Sequence, residues 1–182
     1  MRHSFVVRAC VALVMFALPL AAQGAAAGST TILVVRHAEK MADPAADPPL
    51  TSAGAARAET LADLLKDAGI RAVIATQFVR TRSTGEPTAR KFGLVVESMD
   101  ARAPMHMRMV ADSILARHRG QTVLVVGHSN TVPGIVAAFG APQPSPICDA
   151  EYDDLFVVTV PAIGAPSVVR LHYGTPSPAC AP

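Results

Sequence analysis

The sequence predicts an α/β protein, a three-layer α/β/α sandwich on a mainly parallel sheet. Two observations carry that expectation. Strand and helix patterns alternate along most of the chain, and the strand segments TILVV and TVLVV are apolar without a break. A strand with one wet face alternates apolar and polar residues, whereas a strand covered on both faces does not. Ligand sites in such sheets form beyond the carboxyl ends of the strands.

Residues 1–27 precede these elements and have the layout of a secretory signal peptide. MRHSFVVR carries Arg2 and Arg8, ACVALVMFALPLA is a short apolar run, and AAQGAAAG supplies small residues for cleavage. The run is shorter than the roughly 20 residues that span a bilayer. Export to a periplasmic or secreted location is therefore expected, with residues 28–182 as one domain ending in the Pro-rich tail TPSPACAP.

Each element then follows in order. The first strand, TILVV, runs straight into Arg36 and His37. The loop MADPAADPP holds prolines that a helix interior excludes. Thr51 or Ser52 caps a helix reaching about Gly69, with Leu61, Leu64, Leu65 and Ala68 as its apolar stripe. RAVIAT is a short buried strand. Residues 79–91 read as a helix that Pro87 breaks or kinks, and LVVES as another strand. A helix over 104–118 opens at Pro104 and closes before Gly120. TVLVVG is the second all-apolar strand, and NTVPGIVAAFG begins a further helix. DLFVVTV and SVVRLHY, joined by PAIGAP, form neighbouring strands or a hairpin.

Charge narrows the function classes. Cleavage removes two of the 16 basic residues, leaving 14 against 14 acidic ones. A neutral domain offers no surface for nucleic acid, and no membrane association is expected after cleavage. Any anion site must be local. Cys148 and Cys180 survive processing, and in an oxidising compartment they form a candidate disulfide tying the tail to the loop before the last strands.

Arg36, His37, Arg80 and His128 all lie where strands end or helices begin. Two arginines and two histidines meeting in one pocket suit a phosphoryl group. Each guanidinium fork can bind two phosphoryl oxygens while permanently charged. A neutral histidine, its other ring nitrogen held by a carbonyl, can attack phosphorus, and a second can donate to an oxygen as charge develops. The helix beginning near Ser129 and Asn130 adds free N–H groups. No metal or cofactor is required.

RHAEK, LTSAGAARA at 50–58, TQFVRTRSTGEPTA and GHSNTVP resemble, in order, the motifs of the histidine phosphatase superfamily, also called phosphoglycerate mutase-like. The matches span roughly residues 32–133, and EYDDLFVVT resembles a tail of small members. The resemblance implies a phosphoglycerate mutase-like fold and hydrolysis of phosphomonoesters, with a small phosphorylated molecule or phosphopeptide as substrate. It implies His37 as the nucleophile that becomes phosphohistidine, with Arg36, Arg80 and His128 binding the transferred group. Water then releases phosphate. The lack of a mutase's insertions favours hydrolysis over phosphoryl shuffling.

The departures from the family pattern are specific. Ala38 replaces a glycine and Thr76 stands where many members have serine. The stretch VVESMDARAP lacks the usual carboxylic acid motif, leaving Asp100, just past the strand, as the expected general acid and Glu97 as the other candidate. Without either, substrates with good leaving groups, phosphohistidine included, are favoured.

Two other functions fit parts of the chain. VLVVGHSNT imitates a nucleophile elbow, with Ser129 as nucleophile and His172 as base of a serine esterase, although Thr131 replaces its final glycine. A phosphate-binding module without turnover is the other. MHMRM places copper-compatible ligands together, but its spacing fits an apolar helix face, and His106, His118 and His172 read as structural.

Overall fold

The computed structural model describes residues 28–42, 46–178 and 180, so the signal-peptide expectation for residues 1–27 lies outside the described residues. Among the described residues, six strands and four helices follow as β1 Thr30–Arg36, α1 Ser52–Leu64, β2 Ile70–Thr76, α2 Val79–Lys91, β3 Val96–Met99, α3 His106–Arg117, β4 Thr122–Gly127 and α4 Val132–Ala138, then β5 Asp154–Val160 and β6 Ser167–His172.

The strands form one sheet in the order β3-β2-β4-β1-β5-β6. The first four are mutually parallel, while β5 runs antiparallel to β1 and β6 antiparallel to β5. The sheet is therefore mixed, which corrects the mainly parallel sheet expected from the apolar strands. Connection length explains the difference. A parallel crossover needs a dozen or more residues, usually a helix, and PAIGAP between β5 and β6 permits only a hairpin.

The unbroken apolar strands have a packing reason. Ile32, Val34, Ile74, Val123 and Val125 join one core with Val110 and Ile114 of α3 and Ile135 and Val136 of α4. Their alternates Leu33, Val35, Val73, Leu124 and Val126 join a second core with Leu61 of α1 and Ala89 of α2. Each buried Val, Leu or Ile stabilises the fold by about 1.5–3 kcal/mol relative to exposure.

Helix boundaries depart from expectation in three places. Thr51 caps α1, its hydroxyl accepting from Gly54 N at 3.0 Å, but the helix ends at Leu64, which is exposed, and turns carry the chain to Gly69. The inward face is Ala58, Leu61, Ala62 and Leu65. Helix α2 runs unbroken with Pro87 inside it. Gly85 lies against Val73 and Val126 of the sheet and Pro87 is buried beside Ala55 and Ala58 of α1, so tertiary burial outweighs the lost N–H. Helix α3 begins at His106, after Met105, whose φ of 64° is left-handed and cannot belong to a right-handed helix. Among the described residues, no helix is long and apolar enough to cross a membrane.

The parallel pairing of β1 with β4 places Arg36 opposite Gly127. The next residues, His37 and His128, thus emerge side by side from the carboxyl end of the sheet. His37 N donates to Gly127 O at 2.9 Å, which extends the ladder by one bond.

Candidate active site

Beyond those strand ends lies a cavity of about 360 Å³ lined by Arg36, His37, Arg80 and His128. Lys40, Arg102 and Asp149 stand on its walls, so four cations face one carboxylate in an otherwise balanced domain.

His37 is 3 % exposed. Its Nδ1 lies 2.8 Å from the Ala38 carbonyl oxygen. A carbonyl only accepts, so Nδ1 carries the proton and Nε2 keeps its lone pair. Burial, followed by the charges of Arg36, His128 and Arg80, pushes the pKa of His37 down to about 3, against the pull of the Ala38 hydrogen bond. Ala38 is wholly buried, and its N–H donates to Thr84 Oγ1 at 2.9 Å, whose hydroxyl donates to Arg80 O at 2.8 Å. The residue that replaces the expected glycine thus joins β1 to α2.

The ring of His128 stands edge-on to His37, with centroids 5.3 Å apart. Its Nε2 pairs with Thr76 Oγ1 at 2.9 Å, and Thr76 pairs in turn with Thr81 Oγ1 at 2.8 Å. Thr76 thus holds its hydroxyl against the His128 ring. Burial, then Arg80, His106 and Arg36, pushes His128 down to about 4. Both imidazoles are neutral near pH 7.

The arginines are held differently. Arg80, in the first turn of α2, has Nη1 3.4 Å from Asp47 and its guanidinium carbon 4.4 Å from the Phe78 ring. Asp47 also accepts from Val79 N, fixing the start of the helix. Arg36 Nη1 donates to the carbonyls of Cys148 at 2.8 Å, Asp149 at 3.1 Å and Glu151 at 2.8 Å. Its guanidinium carbon lies 4.1 Å from the Tyr152 ring, and Cys148 is joined to Cys180 by a disulfide. The Nε–H groups of both arginines are buried without a hydrogen-bond partner among the described residues.

The other candidates stand in different surroundings, and of Asp100, Glu97, Ser129 and His172 it is Ser129 that lines the cavity. Asp100 is exposed, and its Oδ1 accepts from Arg102 N at 2.9 Å, closing a turn whose next residues, Ala101 and Arg102, line the cavity. Glu97 pairs with Arg117 at 2.8 Å. Ser129 lines the cavity, but His172 lies on edge strand β6, where it faces Asp153 and Asp154. Three strand spacings of about 4.8 Å separate β6 from β4, which keeps His172 from serving Ser129 as a base. His106 is buried, and Glu39 is gripped by Arg57 Nε and Nη2 at 2.7–3.0 Å.

Sequence reading missed Asp149, Tyr152 and the carbonyls that hold Arg36. They lie 112–116 positions from Arg36, and no local pattern signals them.

Residues 32–108 match the family model described as histidine phosphatase superfamily, branch 1. Among solved structures, the chain is similar to the protein histidine phosphatase SixA complexed with tungstate, with 24% identity, 78% of this chain and 96% of that one covered, and a TM-score of 0.64. It is also similar to a mycobacterial glucosyl-3-phosphoglycerate phosphatase, at 14% identity, coverage of 72% and 90%, and a TM-score of 0.60. A third likeness is to YhfR of Bacillus stearothermophilus, at 20% identity, coverage of 71% and 90%, and a TM-score of 0.57. At these identities the likenesses show the shared fold. Among curated proteins no sequence matches the chain.

Proposed function

We propose, from the match of residues 32–108 to the histidine phosphatase superfamily model together with the site geometry, that the chain is a histidine phosphatase that removes phosphoryl groups through a phosphohistidine on His37 and needs no metal. The observation that carries this reading is the Nδ1–H···O=C bond from His37 to Ala38, which leaves a bare Nε2 in a cavity shared with Arg36, Arg80 and His128.

In the first step the Nε2 lone pair attacks phosphorus, and the bond from phosphorus to the leaving atom breaks with its electron pair going to that atom. The guanidinium groups of Arg36 and Arg80 bind the phosphoryl oxygens through both states, and His128 donates to an oxygen as charge develops. In the second step water attacks phosphorus, the P–N bond breaks, and orthophosphate leaves with His37 restored. Cationic donors supply the stabilisation that a Lewis acid gives elsewhere, which supports metal independence. An incoming anion would also relieve the two unpartnered Nε–H groups.

Asp100 enters this reading as a weak acid candidate, because its carboxylate closes a turn. Substrates whose leaving atom needs little protonation therefore fit best, among them phosphohistidine and aryl phosphates. The SixA structure named for protein histidine phosphatase activity supports the same class. Export is part of the proposal, supported by the signal-like pattern in residues 1–27 and by the disulfide. So is a three-layer arrangement, supported by the two cores.

The test is hydrolysis of p-nitrophenyl phosphate. His37→Ala is expected to abolish it, and EDTA to leave the wild type unchanged. Full activity in His37→Ala would refute the mechanism.

A further inference from the structure

Arg36 does not orient itself. Its side chain is 4 % exposed, and one nitrogen, Nη1, donates to three carbonyls of the loop Cys148–Glu151. Tyr152, the next residue, lays its ring 4.1 Å from the same guanidinium. These hydrogen bonds are all made by Nη1, while Nη2 lies 3.8 Å from Asp149 Oδ1, and both residues line the cavity.

The loop has little apolar burial of its own. Ile147 is buried, but Asp149 is exposed and Ala150, Glu151 and Tyr152 are half-buried. It is closed on itself by Glu151 N to Cys148 O at 3.1 Å and by Cys148 N to Glu151 Oε2 at 2.9 Å. Besides Arg36 itself and buried Ile147, the tail fixes it to the rest of the fold. The Cys148–Cys180 disulfide ties its first residue, and Tyr152 N donates to Ser177 Oγ at 2.8 Å. Arg57 of α1 holds that tail through the carbonyls of Tyr173 at 3.0 Å and Thr175 at 2.8 Å. Glu151 adds a partly exposed pair with Arg170.

We infer that the Cys148–Cys180 disulfide and Ser177 are positioning elements of the active site: they hold the 148–152 loop so that its carbonyls aim Arg36 at the phosphoryl group. The inference rests on the proposed role of Arg36 in phosphate binding. It gives the bond a function beyond stapling, since breaking it frees the carbonyl cradle while leaving every phosphate-contacting side chain in the sequence. A protein with this device has weaker phosphoryl binding when its cysteines are reduced.

The decisive variant is Cys148→Ser/Cys180→Ser, which removes the sulfur link and keeps the Cys148-position carbonyl. Its KM for p-nitrophenyl phosphate and the Ki of inorganic phosphate are expected to rise about tenfold, the scale of one charge-assisted hydrogen bond, with kcat changing far less. Wild type treated with dithiothreitol is expected to match it. In an Arg36→Lys background the same double substitution is expected to add little, because the clasped group is gone. If the double-serine chain fails to fold, Ser177→Ala, which keeps the disulfide, is expected to raise Ki about threefold by loosening the second anchor. Unchanged KM and Ki in a folded variant, or losses that multiply undiminished in the Arg36→Lys background, would overturn the inference. Wild type that does not hydrolyse p-nitrophenyl phosphate would instead refute the proposed function.

Discussion

Lowering the pH from 7 to 5 charges histidine in the unfolded chain, where its pKa is about 6.5. The fold keeps His37 and His128 neutral over that range, because burial and neighbouring cations hold them at about 3 and about 4. Unfolding therefore takes up protons between the folded and unfolded values. Stability from these groups is complete above pH 6.5 and falls as pH drops through 5 toward the folded values. At pH 5 the loss comes to about 2 kcal/mol for each ring, roughly 4 kcal/mol together. That is a large part of the 5–15 kcal/mol typical of a domain. His106, also lowered mainly by burial, acts in the same direction. Urea unfolding of wild type and His37→Asn at pH 7 and pH 5 reads the effect. The wild type is expected to lose about 2 kcal/mol more than the variant, since the asparagine cannot titrate. Equal losses in the two proteins would refute the burial argument for His37.

Two further outcomes follow from individual contacts. A methyl group on Gly54 would overlap the Glu39 carbonyl oxygen where α1 meets the loop after His37. Gly54→Ala is therefore expected to cost about 1–3 kcal/mol, read as a lower urea midpoint, and an unchanged midpoint would contradict the packing. Asp100→Asn keeps the acceptor that closes the turn to Arg102 N, so kcat/KM is expected to hold for both aryl and alkyl phosphates. A loss confined to alkyl phosphates would show that the carboxyl leaves its turn and protonates poor leaving groups.

How much could be read from the chain differs between its parts. TILVVRHAEK and TVLVVGHSNT exposed both the buried strands and the residues that emerge from them, because burial on two faces leaves no alternation and the switch to Arg or His marks the strand end. DLFVVTV and SVVRLHY, read as neighbouring strands or a hairpin, resolve as the hairpin because PAIGAP is too short for a crossover, and that antiparallel pairing helps make the sheet mixed. Leu64 fitted a helical stripe by spacing, yet the chain turns just beyond it and leaves it outside. Pro87 counted against a continuous helix on local grounds and was outweighed by the burial of α2, where Pro87 sits beside α1. The support of Arg36 was illegible for another reason: its acceptors are main-chain carbonyls, and any residue provides a carbonyl.

The most direct test of the account is to catch the phosphoryl group on the protein. Rapid mixing with p-nitrophenyl phosphate, a quench into alkali that preserves phosphoramidates, and peptide mass spectrometry would locate it. Phosphorylation of His37, formed within one turnover and absent in His37→Ala, is the predicted result. Turnover with no modification of His37, or with the phosphoryl group on Ser129 or another residue, would contradict the mechanism.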